Sequence, residues 1–60
     1  MSLKEDFLRI YANLPLQVRS EIILVFHKEP ITWNVAYLEI SSNTEKALII
    51  LKKLKELNII

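Results

Sequence analysis

No glycine occurs anywhere in these sixty residues, and that absence constrains the fold more than any motif does. Glycine enters left-handed backbone without a steric penalty, so every turn or helix end that needs positive φ must here be made by another residue. Asparagine is the usual substitute, and Asn43 and Asn58 stand where positive φ is wanted. Phosphate-cradling loops built on glycine are excluded, and no cofactor is expected. Cysteine is absent too. Neither a disulfide framework nor a thiolate zinc site can therefore supplement the core, and an intracellular setting is the expectation.

A chain of this length makes one domain, residues 1–60, that buries only about 60% of the surface its unfolded form exposes. Hydrophobic residues nevertheless make up 52% of it, which argues against disorder and leaves apolar surface to be covered. The longest apolar runs, residues 22–26 and 47–51, have five members each. That is far short of the roughly 18 needed to cross a bilayer, so no membrane partner is expected. The opening "MSLKEDFLRI" lacks the basic segment, apolar stretch and cleavage site of an export signal. Net charge is only +1. It is unevenly placed: residues 44–60 hold four Lys against two Glu, and the remainder holds four basic against five acidic residues.

Ser2 followed by Glu5 forms a capping-box pair, and Leu3, Phe7, Ile10, Tyr11 and Leu14 then recur on one helical face. Pro15 suits the first turn of a second helix, expected to run to about Phe26 with Val18, Ile22, Val25 and Phe26 inward. Ile23 and Leu24 add apolar surface on its other sides, as in the enclosed helix of a small bundle. "HKEP" reads as a loop. Thr32 then caps a third helix to about Ile40 that points Val35, Ala36 and Leu38 inward. The alternative for Ile31 and Thr32 is a short extended bridge, which β-branched residues after proline adopt well. Ser42 and Glu45 make a second capping box for a last helix over about residues 43–57, closed by Asn58. The expected fold is all-α, a compact bundle of four short helices.

The last two helices, separated by a tight polar turn, have the helix-turn-helix layout. The segment "ITWNVAYLEISSNTEKALIILKKLKELNII" resembles the helix-turn-helix core of winged-helix domains, in which an apolar helix, a polar turn and a Leu-x-x-Leu-x-Ile-Ile ending recur. Leu54, Leu57, Ile59 and Ile60 supply that ending. The resemblance implies a winged-helix-like core whose second helix reads DNA. It also departs from the pattern, because the chain stops at Ile60, where a wing would begin, and lacks the usual turn glycine.

On a helical wheel Ala47, Ile50, Leu51, Leu54 and Leu57 share the buried face, and Glu45, Lys46, Ile49, Lys52, Lys53 and Glu56 gather opposite. Base edges are normally read by Arg, Asn, Gln, Ser or Lys. Here Ile49 holds the centre with Leu48 on its flank, and the helix has no arginine. Lys46, Lys52 and Lys53 are candidates for phosphate contacts, which position a protein without specifying sequence. Leu48 and Ile49, joined by Trp33 and Tyr37 one helical turn apart, are candidates for a protein interface. Trp33 has two readings, a core residue between the second and third helices or an exposed anchor.

The expected function is a small non-enzymatic helix-turn-helix interaction module. It would be an accessory subunit that binds a protein partner in a DNA- or RNA-processing assembly, or a homodimer. The alternative is a DNA-binding transcriptional regulator using helix 43–57. Neither implies a small-molecule substrate. His27 is expected to cap the second helix; with Glu29 alone it makes no metal site. Ser41 and Ser42 are turn or cap residues without a base and orienter, and Glu5 and Asp6 serve a helix dipole.

Overall fold

The computed structural model describes residues 2–60. Helix α1, Leu3–Ala12, forms as its capping box requires. The Glu5 N–H donates to Ser2 Oγ (3.1 Å) and the Ser2 N–H donates to Glu5 Oε1 (3.2 Å). The chain leaves the helix at Asn13, two residues ahead of Pro15. Phe7 is fully buried, and Leu3, Ile10, Tyr11 and Leu14 pack beside it as the spacing predicts.

The second helix does not exist. After Pro15 the chain makes a single 3-10 turn, Val18–Ser20, and then a hairpin of strands β1, Ile22–Phe26, and β2, Glu29–Thr32. Over the described residues the protein is therefore an α+β domain of three α-helices and a two-stranded antiparallel sheet, not an all-α bundle of four helices. The physical reason lies in "IILVF", where a short apolar run carries no periodicity and suits a strand as well as a buried helix. Its branched and aromatic side chains prefer the pleated surface, and Pro30 is tolerated at a sheet edge. Leu24 is buried and its neighbour Val25 exposed, as alternation requires, while the register shift between Ile22 and Leu24 breaks the period and leaves Ile22 exposed as well; both Ile22 and Val25 are expected inward from the sequence.

The register pairs Phe26 with Glu29, Val25 with Pro30, Leu24 with Ile31 and Ile22 with Thr32, leaving Ile23 as a bulge. His27 (φ 50°) and Lys28 (φ 66°) form the two-residue turn. Positive φ at both centres is the signature of a type I′ turn. His27 thus stands at a hairpin tip and caps no helix. The extended alternative for Ile31 and Thr32 is the one found, since both lie in β2.

Thr32 ends the strand and caps helix α2, Trp33–Ser41, with the Val35 N–H donating to its Oγ1 (3.1 Å). Trp33, Ala36 and Ile40 face inward. Leu38, expected with them, is exposed, because it lies 200° around the helix from Ala36 at about 100° per residue. Ser42 closes α2 rather than opening the next helix. Asn43 (φ 53°) follows in left-handed backbone; its N–H donates to the Ile40 carbonyl (3.2 Å) and that of Thr44 to the Glu39 carbonyl (3.3 Å). This is a Schellman turn with asparagine in place of glycine.

Helix α3 is Glu45–Glu56, capped by Thr44, whose Oγ1 accepts the Ala47 N–H (3.1 Å). The capping box expected of Ser42 and Glu45 is not made, since the Schellman turn occupies residues 42–44. The same device ends α3. Asn58 (φ 59°) donates its N–H to the Lys55 carbonyl (3.0 Å), and Ile59 donates to the Leu54 carbonyl (2.9 Å). Ile59 and Ile60 turn back against the core. Leu57, expected inside, is the exposed C-terminal cap. The core is shared by all the helices and the hairpin, with Phe7, Ile31, Ile40, Ile50 and Leu54 fully buried. Among the described residues no helix is long and apolar enough to cross a membrane.

Candidate interaction surface

Ala47, Ile50, Leu51 and Leu54 anchor α3 to the core and turn its opposite side outward. That side presents Glu45, Leu48, Ile49, Lys52, Lys53, Lys55 and Glu56, all exposed. Leu48 (71% exposed) stands out further than Ile49 (42%). The wheel placed Ile49 at the centre of this face and Leu48 on its flank, but it did not separate them by exposure.

Lys46 is set apart from the other lysines. Its ammonium donates to Glu29 Oε1 on β2 (2.5 Å) and lies 5.8 Å from the centre of the Phe26 ring. The hydrogen bond to Glu29 holds the Lys46 ammonium above its ordinary pKa, partly opposed by desolvation. One expected phosphate contact is thus engaged in joining α3 to the hairpin. Lys52 and Lys53, with Lys55, have no ion-pair partner among the described residues. They also lie toward the C-terminal end of the helix, where cations complement its dipole without any ligand.

Trp33 is not an exposed anchor. It is buried and stacked on Phe7 with ring centres 5.7 Å apart, which is the core reading of this residue. Tyr37 is exposed, but with Trp33 buried the two form no common patch; the Tyr37 ring lies on Tyr11 at 4.4 Å and 10°. The four rings form a row, Trp33 to Phe7 to Tyr11 to Tyr37, that fastens α2 to α1.

Arg19 covers Tyr11 from the 3-10 turn, its guanidinium carbon 4.3 Å from the ring centre. In this position Arg19 Nε is buried and has no hydrogen-bond partner among the described residues. The Tyr11 hydroxyl donates to Asn34 Oδ1 (2.7 Å). The spacing of Phe7 and Tyr11, and of Trp33 and Tyr37, was the available signal for this row, since residues four apart share a helix face. Nothing in the sequence placed Arg19 on it.

Among the described residues no group of three or more His, Cys, Asp or Glu could hold a metal ion. His27 packs edge-on against Phe26 (4.4 Å) at the tip of the hairpin. No protein-family model matches the chain, and neither a curated protein nor a solved structure matches it.

Proposed function

We propose that this chain is a small, non-enzymatic helix-turn-helix interaction module of the cell interior. It binds a protein partner through the outer face of α3, as an accessory subunit of a DNA- or RNA-processing assembly. One observation carries the reading: Leu48 and Ile49 stand exposed on a face whose polar groups are only Lys and Glu. Burying a full aliphatic side chain contributes about 1.5–3 kcal/mol, so covering the exposed parts of both contributes about 2–3 kcal/mol. The same face lacks the Arg, Asn and Gln side chains that match base edges most specifically.

A second reading is direct DNA binding by a regulator, with α3 as the recognition helix. It is favoured by the free Lys52, Lys53 and Lys55 and by the resemblance of residues 31–60 to winged-helix domains, although the hairpin here precedes the helix pair. The experiment compares Ile49→Glu and Leu48→Glu with the double variant Lys52→Ala, Lys53→Ala in pull-downs from native extract, with and without nuclease. The interaction reading expects a nuclease-resistant partner lost with either glutamate and retained with the alanines, at an unchanged melting temperature. Capture of nucleic acid alone, weakened by the alanines with a salt slope lower by about one per contact, would replace it with the DNA reading.

A further inference from the structure

The two edges of the hairpin are unequal. Phe26 and Glu29 flank a two-residue turn and therefore form a hydrogen-bonded pair. The next pair, Val25 and Pro30, is then not hydrogen-bonded to one another, as Pro30 requires, and the backbone polar groups of both point away from the partner strand. On the β2 edge that leaves a proline with no N–H to offer, next to a glutamate already engaged with Lys46. A strand cannot be added there without losing a bond. On the β1 edge it leaves the N–H and carbonyl of Val25 facing outward from a strand that contains no charge, no proline and no glycine. Ile22 (59% exposed) and Val25 (62%) add uncovered apolar surface to it.

We infer that β1 is a pairing edge and that its occupant is β1 of a second copy, so that two hairpins join antiparallel into a four-stranded sheet. Charge selects this occupant and this direction. The strand is uncharged from Ile22 to Phe26, with Glu21 before it and His27 and Lys28 after it, all exposed. Antiparallel pairing about a two-fold axis at Leu24 sets Glu21 of one copy opposite His27 of the other with Lys28 diagonal to it, twice over, and sets Val25 opposite the bulged Ile23. Parallel pairing would set glutamate on glutamate and lysine on lysine, which is unfavourable.

Since only one edge is competent, the contact is self-complementary and closes at two copies instead of extending into a fibre. The area needed is modest: about 600 Å² per partner, the low end of specific interfaces, is about one-seventh of the 4180 Å² surface. The inference rests on the hairpin alone and is independent of the partner proposed for α3.

The test is sedimentation equilibrium of the purified full chain from about 1 μM to 1 mM, a range that brackets weak interfaces. The expected result is conversion from 7.1 kDa to twice that mass. Val25→Pro removes the outward N–H, as Pro30 does on the other edge, and is expected to raise the dimer Kd on the order of 30-fold. Circular dichroism of the dilute monomer should be unchanged. Val25→Lys, at the same exposed position, is expected to do likewise if proline disturbs the hairpin.

Glu21→Lys should weaken the dimer, and adding Lys28→Glu should restore it. Ile49→Glu should leave it intact, so loss of the α3 partner and loss of the dimer are separable. A chain that stays monomeric to 1 mM, a dimer indifferent to both Val25 variants, or one broken by Ile49→Glu would overturn the inference.

Discussion

Replacing Lys28 by glycine should stabilise this protein. Lys28 sits at φ 66° and His27 at φ 50°, where a residue with a Cβ is less stable by about 1–2 kcal/mol because that atom crowds the following carbonyl. Glycine removes the crowding but gives the unfolded chain more freedom, which offsets about 0.5–1 kcal/mol. The net gain is about 0.5–1 kcal/mol, and in a domain this small 1 kcal/mol moves the midpoint about 4–8 °C. A rise of about 2–8 °C is therefore expected for Lys28→Gly, read by far-ultraviolet circular dichroism during heating. One low protein concentration should be used throughout so that self-association does not contribute. The control is Lys28→Ala, which keeps the Cβ and should stay within about 0.5 kcal/mol of the parent. Asn58→Gly should gain less than Lys28→Gly, because asparagine already tolerates left-handed backbone. If alanine raises the midpoint as much as glycine, the gain came from losing the lysine side chain and the backbone argument is refuted.

Thr44→Ala removes the cap of α3 and with it a hydroxyl donor 2.6 Å from Glu39 Oε1; about 1 kcal/mol of stability should be lost in urea titrations and Thr44→Ser should recover most of it. Acid should also weaken α1. Hydrogen bonds from the Ser2 backbone and hydroxyl hold the Glu5 carboxyl below its ordinary 4.5, so the folded state binds this proton less readily than the unfolded chain. The contribution is present above 4.5 and is lost as pH falls through the lower folded value. A urea midpoint followed from about pH 6 to about pH 2 should decline less steeply in Glu5→Gln than in the parent, and parallel curves would remove Glu5 from the account.

What the sequence made legible was local. Ser2, Thr32 and the apolar spacing behind each located two helices, because a cap and a period are both written within one turn of chain. Asn43 and Asn58 marked left-handed positions for the same reason. The hairpin was hidden because its turn is His27–Lys28 instead of the Asn-Gly or Asp-Gly pair that type I′ geometry favours. Its first strand is a run of five apolar residues with no period to read.

Helix α3 starts two residues later than its sequence predicts, for a related reason. Ser42, Asn43 and Thr44 can all serve a helix terminus, and the choice depends on where α2 stops, which is set by Ile40 entering the core. Trp33 was ambiguous because burial depends on what Phe7 of a distant helix does. Of the interface candidates, Leu48 and Ile49 came from the face pattern of a single helix, and these are the ones the structure exposes together.

The hairpin explains why Lys46 cannot be grouped with Lys52 and Lys53. A wheel treats the face of α3 as if the helix stood alone, and on it Lys46 is one more outward cation. In the folded chain β2 passes close enough for Glu29 to take the Lys46 ammonium, which neutralises the N-terminal end of that face and leaves its cations toward the C-terminal end. A helix entering the major groove reads bases mainly from its N-terminal residues. Here that end carries Glu45, an engaged Lys46, Leu48 and Ile49. The end of the face where Leu48 and Ile49 stand exposed is therefore the one least suited to nucleic acid, and the lysines toward the other end would support binding by charge but contribute little to reading a sequence. This division within one helix is why the protein-partner reading is preferred over DNA recognition.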